Sequence, residues 1–341
     1  MQPRFGARIG NVDSRVLMTR TSLLTIMLAL LASAAPVLTQ ETDAGPPLGR
    51  LVDVGGRRLH LYCSGSAAPT VVIEAGASSF AIDFALVQPE VAKATRVCSY
   101  DRAGSGWSDA RPDVETPIRV VRDLRALLDA AGEKGPFVMV GASRGGLFVR
   151  LFQAEDPANV AGLVLVDPAA EDRLFTMYQG KPVPIVSLTA EQYRSLTPKG
   201  AVPIPTRQPQ TGAPFDRLPP DLYARRVALD RRTVAGMPAT VPAEVVAEFS
   251  AGDYAMLSRL SAARTSTPNL LGDMPVVVLT RGLDASPDLQ AAHAAIAKLS
   301  RTSRHTAVPG SYHEIHLSHP EAVITAILDV VSAVRERRPR R

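Results

Sequence analysis

The 341-residue sequence predicts an α/β fold, a mostly parallel sheet covered by helices on both faces. Three observations carry that expectation. Apolar runs rich in β-branched residues at 71–73, 137–140, 163–166 and 276–279 read as strands buried on both faces. Apolar residues at helical spacing follow such runs, as with Ile118, Val121, Leu124, Leu127 and Leu128 before a Gly132 stop. The alternation of strand with helix is the pattern of parallel strands joined by crossover helices.

Taken in order, residues 51–54 and 59–62 flank Gly55-Gly56 and predict a hairpin with a two-glycine turn. Residues 71–73 form a strand that ends at Glu74-Ala75-Gly76-Ala77. A helix is expected over 82–94. A strand over 96–100 then runs into Asp101-Arg102-Ala103-Gly104-Ser105-Gly106-Trp107-Ser108. After the 118–128 helix, strand 137–140 meets Gly141-Ala142-Ser143-Arg144-Gly145, a helical pattern starts at Leu147, and 163–167 is the next strand. From about 171 to 273 the rhythm breaks. Prolines crowd 182–220, and amphipathic helices are expected at 221–234 and 243–260. Such a stretch is too long for a loop, so 173–271 is expected to be an inserted helical cap. The alternation resumes with strand 276–280, helix 288–299, a strand near 305–308 and a closing helix through Val323, Ile327 and Val331. The expected organisation is 1–40 as leader and tether, 45–172 with 272–341 as the core, and 173–271 as the cap.

With 46% hydrophobic residues, a chain of this length buries a sizeable core without staples. The net charge is +5, but Arg and Lys are scattered, and only 335–341 is a basic run. Aromatic residues make up 5% and do not interleave with the basic ones, which argues against a nucleic-acid partner. Near the N-terminus, Arg15 and Arg20 precede the apolar stretch 23–32, and Ser33, Ala34 and Ala35 follow it. That is the order of a secretory signal peptide, and its unusually long lead-in suggests Met18 as the true start. The apolar stretch is shorter than the roughly 20 residues a bilayer span needs, so no stable span is expected after processing. Secretion or a periplasmic location follows, with an uncleaved N-terminal membrane anchor as the alternative.

The chemistry centres on Ser143. A strand before and a helix after Gly-x-Ser-x-Gly force the serine onto a sharp turn with its hydroxyl at the carboxyl edge of the sheet. A serine hydroxyl needs a base to take its proton, and the base needs a third group to hold its tautomer. Of six histidines, His313 lies in a loop after the last expected strand, at the same edge of the sheet as Ser143. It is the expected base, with His316 and His319 as nearby fallbacks and His60 as a structural residue. The expected acid is Asp284, which follows the strand upstream of the histidine's. Asp167, at the end of the strand after the nucleophile's, is the alternative, and Glu74 a third.

The strand order, Gly141-Ala142-Ser143-Arg144-Gly145, Asp101-Arg102-x-Gly104-x-Gly106-x-Ser108 and Gly310-Ser311-Tyr312-His313 together resemble the α/β-hydrolase superfamily. The likeness is to its capped bacterial esterase, lipase and aminopeptidase-like members and covers residues 50–170 and 272–335. It implies the α/β-hydrolase fold with an eight-stranded, mostly parallel sheet. It also implies cleavage of a carboxylic ester on a small-molecule acyl substrate through an acyl-enzyme, with no metal or organic cofactor. Oxyanion donors are implied at the backbone N–H groups of Ala77 and Arg144, where developing charge is best stabilised. A serine nucleophile argues against the epoxide-hydrolase and haloalkane-dehalogenase branches, which use an aspartate. The rival readings are a cofactor-free oxidative or C–C-cleaving enzyme on the same triad, and a non-catalytic binding protein on the same scaffold. Two departures stand out. The family's His-Gly is Ala75-Gly76 here, preceded by Glu74, and the spacing around Asp284 departs from the usual Gly-x-x-Asp. The Arg144 side chain is expected to reach Glu74 and tie the two oxyanion segments together. In this fold the second and fourth strands are neighbours, so Cys63 and Cys98 are expected to form a disulfide, the alternative being two buried thiols.

Overall fold

A computed structural model describes residues 44–337 apart from 112, 205 and 206. The signal-peptide expectation therefore lies outside the described residues. One sheet of eight strands organises the chain: β1 (Arg50–Asp53), β2 (Arg58–Ser64), β3 (Val71–Glu74), β4 (Val97–Tyr100), β5 (Phe137–Ala142), β6 (Val160–Val166), β7 (Val276–Arg281) and β8 (Ser303–Val308). Their spatial order is β1-β2-β4-β3-β5-β6-β7-β8. Only β2 runs against the rest, through its antiparallel pairings with β1 and β4. The β1–β2 turn works as its glycines imply. Gly55 and Gly56 take φ of 93° and 92°, and both their N–H groups donate to Asp53 Oδ1 at 2.8 and 2.9 Å.

Alternation within the all-apolar strands feeds two cores. Phe137 and Met139 of β5 face one side, with α2 (Pro117–Ala131), α3 (Gly145–Glu155) and α7 (Pro287–Ala297) packed there. Val138 and Val140 face the other, against α1 (Gln88–Ala92) and the terminal helix α9 (Pro320–Arg337). Burial on both faces is why these strands carry no polar alternate residues. The helix expected over 82–94 is broken: Ala81–Phe84 is a 3₁₀ turn, and α1 begins only at Gln88. Pro89 is the reason, because it has no N–H to give residue 85 and its ring is tolerated only in a first turn. Cys63 and Cys98 are directly opposite in the β2/β4 register and form a disulfide.

Between β6 and β7 the chain leaves the sheet and adds no strand to it. That stretch holds two small two-stranded ribbons and helices α4 (Ala190–Ser195), α5 (Pro220–Ala235) and α6 (Ala243–Ser266). Arginines fasten it to the rest. Arg226 of α5 is fully buried against Asp83, with Nε 3.1 Å from Oδ1, and Arg150 of α3 holds Glu171, which Arg264 of α6 also reaches at 2.8 Å. Among the described residues, no helix is long and apolar enough to cross a membrane.

Candidate active site

The carboxyl ends of β5, β6 and β7 and the loop after β8 converge on one cavity of about 320 Å³. Ser143, Asp167, Arg281 and His313 all line it. Ser143 sits between β5 and α3 with φ of 50°, a conformation that costs a non-glycine residue free energy and persists only where surroundings impose it. Hydrogen bonds impose it here. Ser143 N–H donates to Val166 O at 3.0 Å, and Ser143 O accepts from Gly146 and Ala169 at 3.0 and 2.9 Å. The flanking glycines are required by close approach. A Cβ on Gly145 would lie 2.4 Å from Glu74 O, and one on Gly141 would lie 2.6 Å from Gly145 O.

His313 follows β8 and turns its Nδ1 to Asp167 Oδ2 at 2.5 Å. Burial alone would raise Asp167. The hydrogen bonds from His313 and from the Arg281 backbone outweigh it, with help from the charge of the Arg281 guanidinium, and hold the carboxyl below its ordinary value. An ionised carboxylate only accepts, so the proton of that bond resides on His313 Nδ1 and leaves Nε2 as an acceptor. Asp167, itself at φ 42°, also accepts from Arg281 N–H at 3.0 Å and Arg281 Nη1 at 2.7 Å. Behind it, the buried His293 of α7 bonds Thr280 Oγ1 and Pro168 O, both at 2.7 Å, which steadies the loop carrying Asp167. Burial pushes the His293 ring below its ordinary pKa, so it stays neutral in that role.

The structure places Asp167, and not the expected Asp284, against the imidazole. Asp284 lines the same cavity but is exposed and makes no hydrogen bond or ion pair among the described residues, whereas Asp167 holds the imidazole. Asp284 sits in an exposed turn past the end of β7, while β6 and β7 run side by side and bring Asp167 within reach of Arg281 and His313. No hydrogen bond joins Ser143 to His313 among the described residues, although both face the cavity. The backbone N–H groups of Ala77 and Arg144 likewise donate to nothing among the described residues.

The expected Glu74–Arg144 link is absent. Glu74 is instead bound by Arg102 (Nη1 to Oε1, 2.6 Å) and by the Tyr100 hydroxyl. Burial raises the Glu74 carboxyl, and Arg102 offsets this in part. The same guanidinium donates to Ala75 O and Gly76 O, both at 2.8 Å, so it clamps the Glu74-Ala75-Gly76 turn that stands where the family has His-Gly. Arg144 turns the other way, to Asp253 of α6 at 2.5 Å, and lies over the rings of Phe148 and Phe249. The fallback histidines stand apart from the cavity. His316 is buried against Phe84, with ring centroids 4.3 Å apart and neither ring nitrogen partnered, and burial lowers its pKa to about 3. His60 is fully buried, with Nδ1 2.8 Å from Asp101 Oδ2 and Nε2 accepting from Gly49 N–H.

Residues 62–326 match the model of the family described as "Alpha/beta hydrolase family". The chain belongs to that family. It is similar to the uncharacterized protein YqjL of Bacillus subtilis (strain 168), 26% identical over 272 residues, which cover 78% of this chain and 85% of that protein. Among solved structures, a thermophilic esterase from Thermogutta terrifontis superposes with a TM-score of 0.55 at 20% identity, covering 84% of this chain and 98% of its own. The epoxide hydrolase CorEH superposes with a TM-score of 0.58 at 17% identity, covering 84% and 99%. These two likenesses are of fold. An alpha/beta hydrolase enzyme is thus what the family and the fold support, and the eight-stranded, mostly parallel sheet is that of the family.

Sequence reading missed Arg281, Arg102 as the clamp of the Glu74-Ala75-Gly76 turn, and Asp253. The first two carried a signal: each is a charged residue at or just past the carboxyl end of a buried strand, where a solvated surface role is least expected. Asp253 carried none, since its partner is 109 residues away.

Proposed function

We propose that the protein cleaves a carboxylic ester through a Ser143–His313–Asp167 triad. The observation that carries this reading is a serine held at positive φ on a strand–helix turn, sharing one cavity with an aspartate-bound imidazole. In the proposed reaction His313 Nε2 takes the Ser143 proton as Oγ attacks the ester carbonyl. The unpaired N–H groups of Ala77 and Arg144 face the oxyanion, at the positive end of α3. Collapse expels the alcohol with the proton from His313. Water, deprotonated by the same imidazole, then releases the acid from Ser143 and regenerates the enzyme. Asp167 keeps the tautomer and stabilises the imidazolium. Asp284 is not proposed as the acid.

Ester chemistry is favoured over epoxide opening because the nucleophile position holds serine, whose acyl-enzyme hydrolyses readily. Residues 173–271 are proposed to act as a cap over this cavity, since Leu174 and Arg173 help to line it. Export is proposed from the leader, and the disulfide is compatible with it.

The test is labelling by a fluorophosphonate probe combined with hydrolysis of 4-nitrophenyl acetate and butyrate. Labelling and turnover should both be present in the wild type and absent from Ser143→Ala. Turnover that survives Ser143→Ala, or an unlabelled wild type, would overturn the proposal.

A further inference from the structure

We infer that Arg173 and Arg281 form an anion receptor inside the catalytic cavity, so that the enzyme selects esters bearing a carboxylate. The inference rests on the serine-hydrolase reading above and adds the substrate class. Both side chains line the cavity that holds Ser143 and His313. Neither is consumed by the protein. Arg281 Nη1 is taken by Asp167 at 2.7 Å and lies 3.2 Å from His313 Nδ1, while its Nε and Nη2 bond to nothing among the described residues. Among the described residues Arg173 makes no hydrogen bond through its side chain, and its one ion pair there is a 3.8 Å contact with a largely exposed Asp288. Both guanidinium groups are about a third exposed or less, so they are partly stripped of water.

Donors left open in a concave, half-dry site are what a ligand carboxylate satisfies, and the guanidinium fork matches its two oxygens. The rest of the lining does not cancel them. Asp167 is committed to His313 and Arg281, and His313 donates to it. Asp284 is the only other carboxylate on the wall; it is exposed to solvent and pairs with neither arginine among the described residues. Ala169, Ala170 and Leu174 of the same lining are short or apolar, which suits the carbon chain of an ester that carries a second charged group. Because the contact is made equally in the ground and transition states, the preference should appear in KM rather than kcat.

The test compares 4-nitrophenyl hemiglutarate with 4-nitrophenyl valerate, esters of the same chain length that differ by a terminal carboxylate. A second pair, 3-carboxy-4-nitrophenyl valerate against 4-nitrophenyl valerate, places the charge on the leaving group, and the two pairs tell which side of the ester faces the arginines. The wild type should favour the charged member of at least one pair by about tenfold in kcat/KM. In Arg173→Met and Arg281→Met that ratio should fall towards one, through KM. Arg281 touches both Asp167 and His313, so its loss can lower activity for a second reason; among the described residues Arg173 touches neither and reads the ratio cleanly. Binding of glutarate to Ser143→Ala, and its weakening by about tenfold in Ser143→Ala/Arg173→Met, reads the receptor without catalysis. Wild-type ratios at or below one in both pairs, a ratio that survives both substitutions, or no glutarate binding each overturns the inference. Fluorophosphonate labelling of Ser143 alongside separates this from failure of the hydrolase reading, which an unlabelled serine would mark.

Discussion

Replacing Asp167 by Asn tests the assignment of the acid most directly. The substitution preserves volume but exchanges an acceptor-only group for an amide that also donates. In the wild type Asp167 accepts from His313 Nδ1, Arg281 Nη1 and the Arg281 backbone N–H. Three donors converge on two oxygens. If the Asn oxygen stays with the Arg281 backbone, its NH₂ faces both Nδ1 and a guanidinium. The imidazole then relieves the donor–donor clash by moving its proton to Nε2, and that tautomer cannot take the serine proton. Loss of the productive tautomer costs about 10⁴-fold in kcat, or about 5 kcal/mol of barrier. The guanidinium left facing an amide adds a stability cost of about 1–3 kcal/mol. The assay is kcat on 4-nitrophenyl butyrate, with circular dichroism confirming that the variant is folded at the assay temperature. Asp284→Asn, which removes a charge bonded to nothing, should lower kcat by less than about tenfold. A folded Asp167→Asn within tenfold of the wild type, with Asp284→Asn down by a thousandfold, would refute the reasoning and return the role to Asp284.

Two stability predictions follow from groups away from the serine. Burial would raise Glu171, but Arg150 on both its oxygens, with Arg264, lowers it from its ordinary 4.5 to about 2. Its contribution is complete above pH 4.5 and is lost as pH falls from there towards 2, about 3 kcal/mol in all. Urea unfolding of the wild type at pH 6 and pH 3 should show about 2 kcal/mol of that loss, the rest lying below pH 3, and Glu171→Gln should show a shallower dependence; parallel pH profiles would contradict it. The Cys63–Cys98 disulfide closes a loop with a sequence separation of 35. Chain entropy assigns it about 4 kcal/mol, so Cys63→Ser/Cys98→Ser should unfold at clearly lower urea, and an unchanged midpoint would count against it.

Local features of the sequence determined the fold and much of the site. Runs of β-branched residues buried on both faces mark parallel strands wherever they occur, and Gly141 and Gly145 mark a turn in which a Cβ would strike backbone. These signals are written within a few residues of one another, so periodicity and sterics suffice to read them. The break in the 82–94 helix was legible in the same way, in Pro89, and went unread. Which charges meet was decided only by tertiary structure. Asp167 lies 146 residues from His313 and 114 from Arg281, and Arg144 lies 109 from Asp253. An ion pair leaves no periodic trace in either partner's neighbourhood. Its choice depends on which carboxylates are already occupied, as Glu74 is by Arg102, and on how far each strand extends past the sheet edge. The chain wrote the Ser143 turn locally; the packing of β6 against β7 chose the aspartate that meets the imidazole.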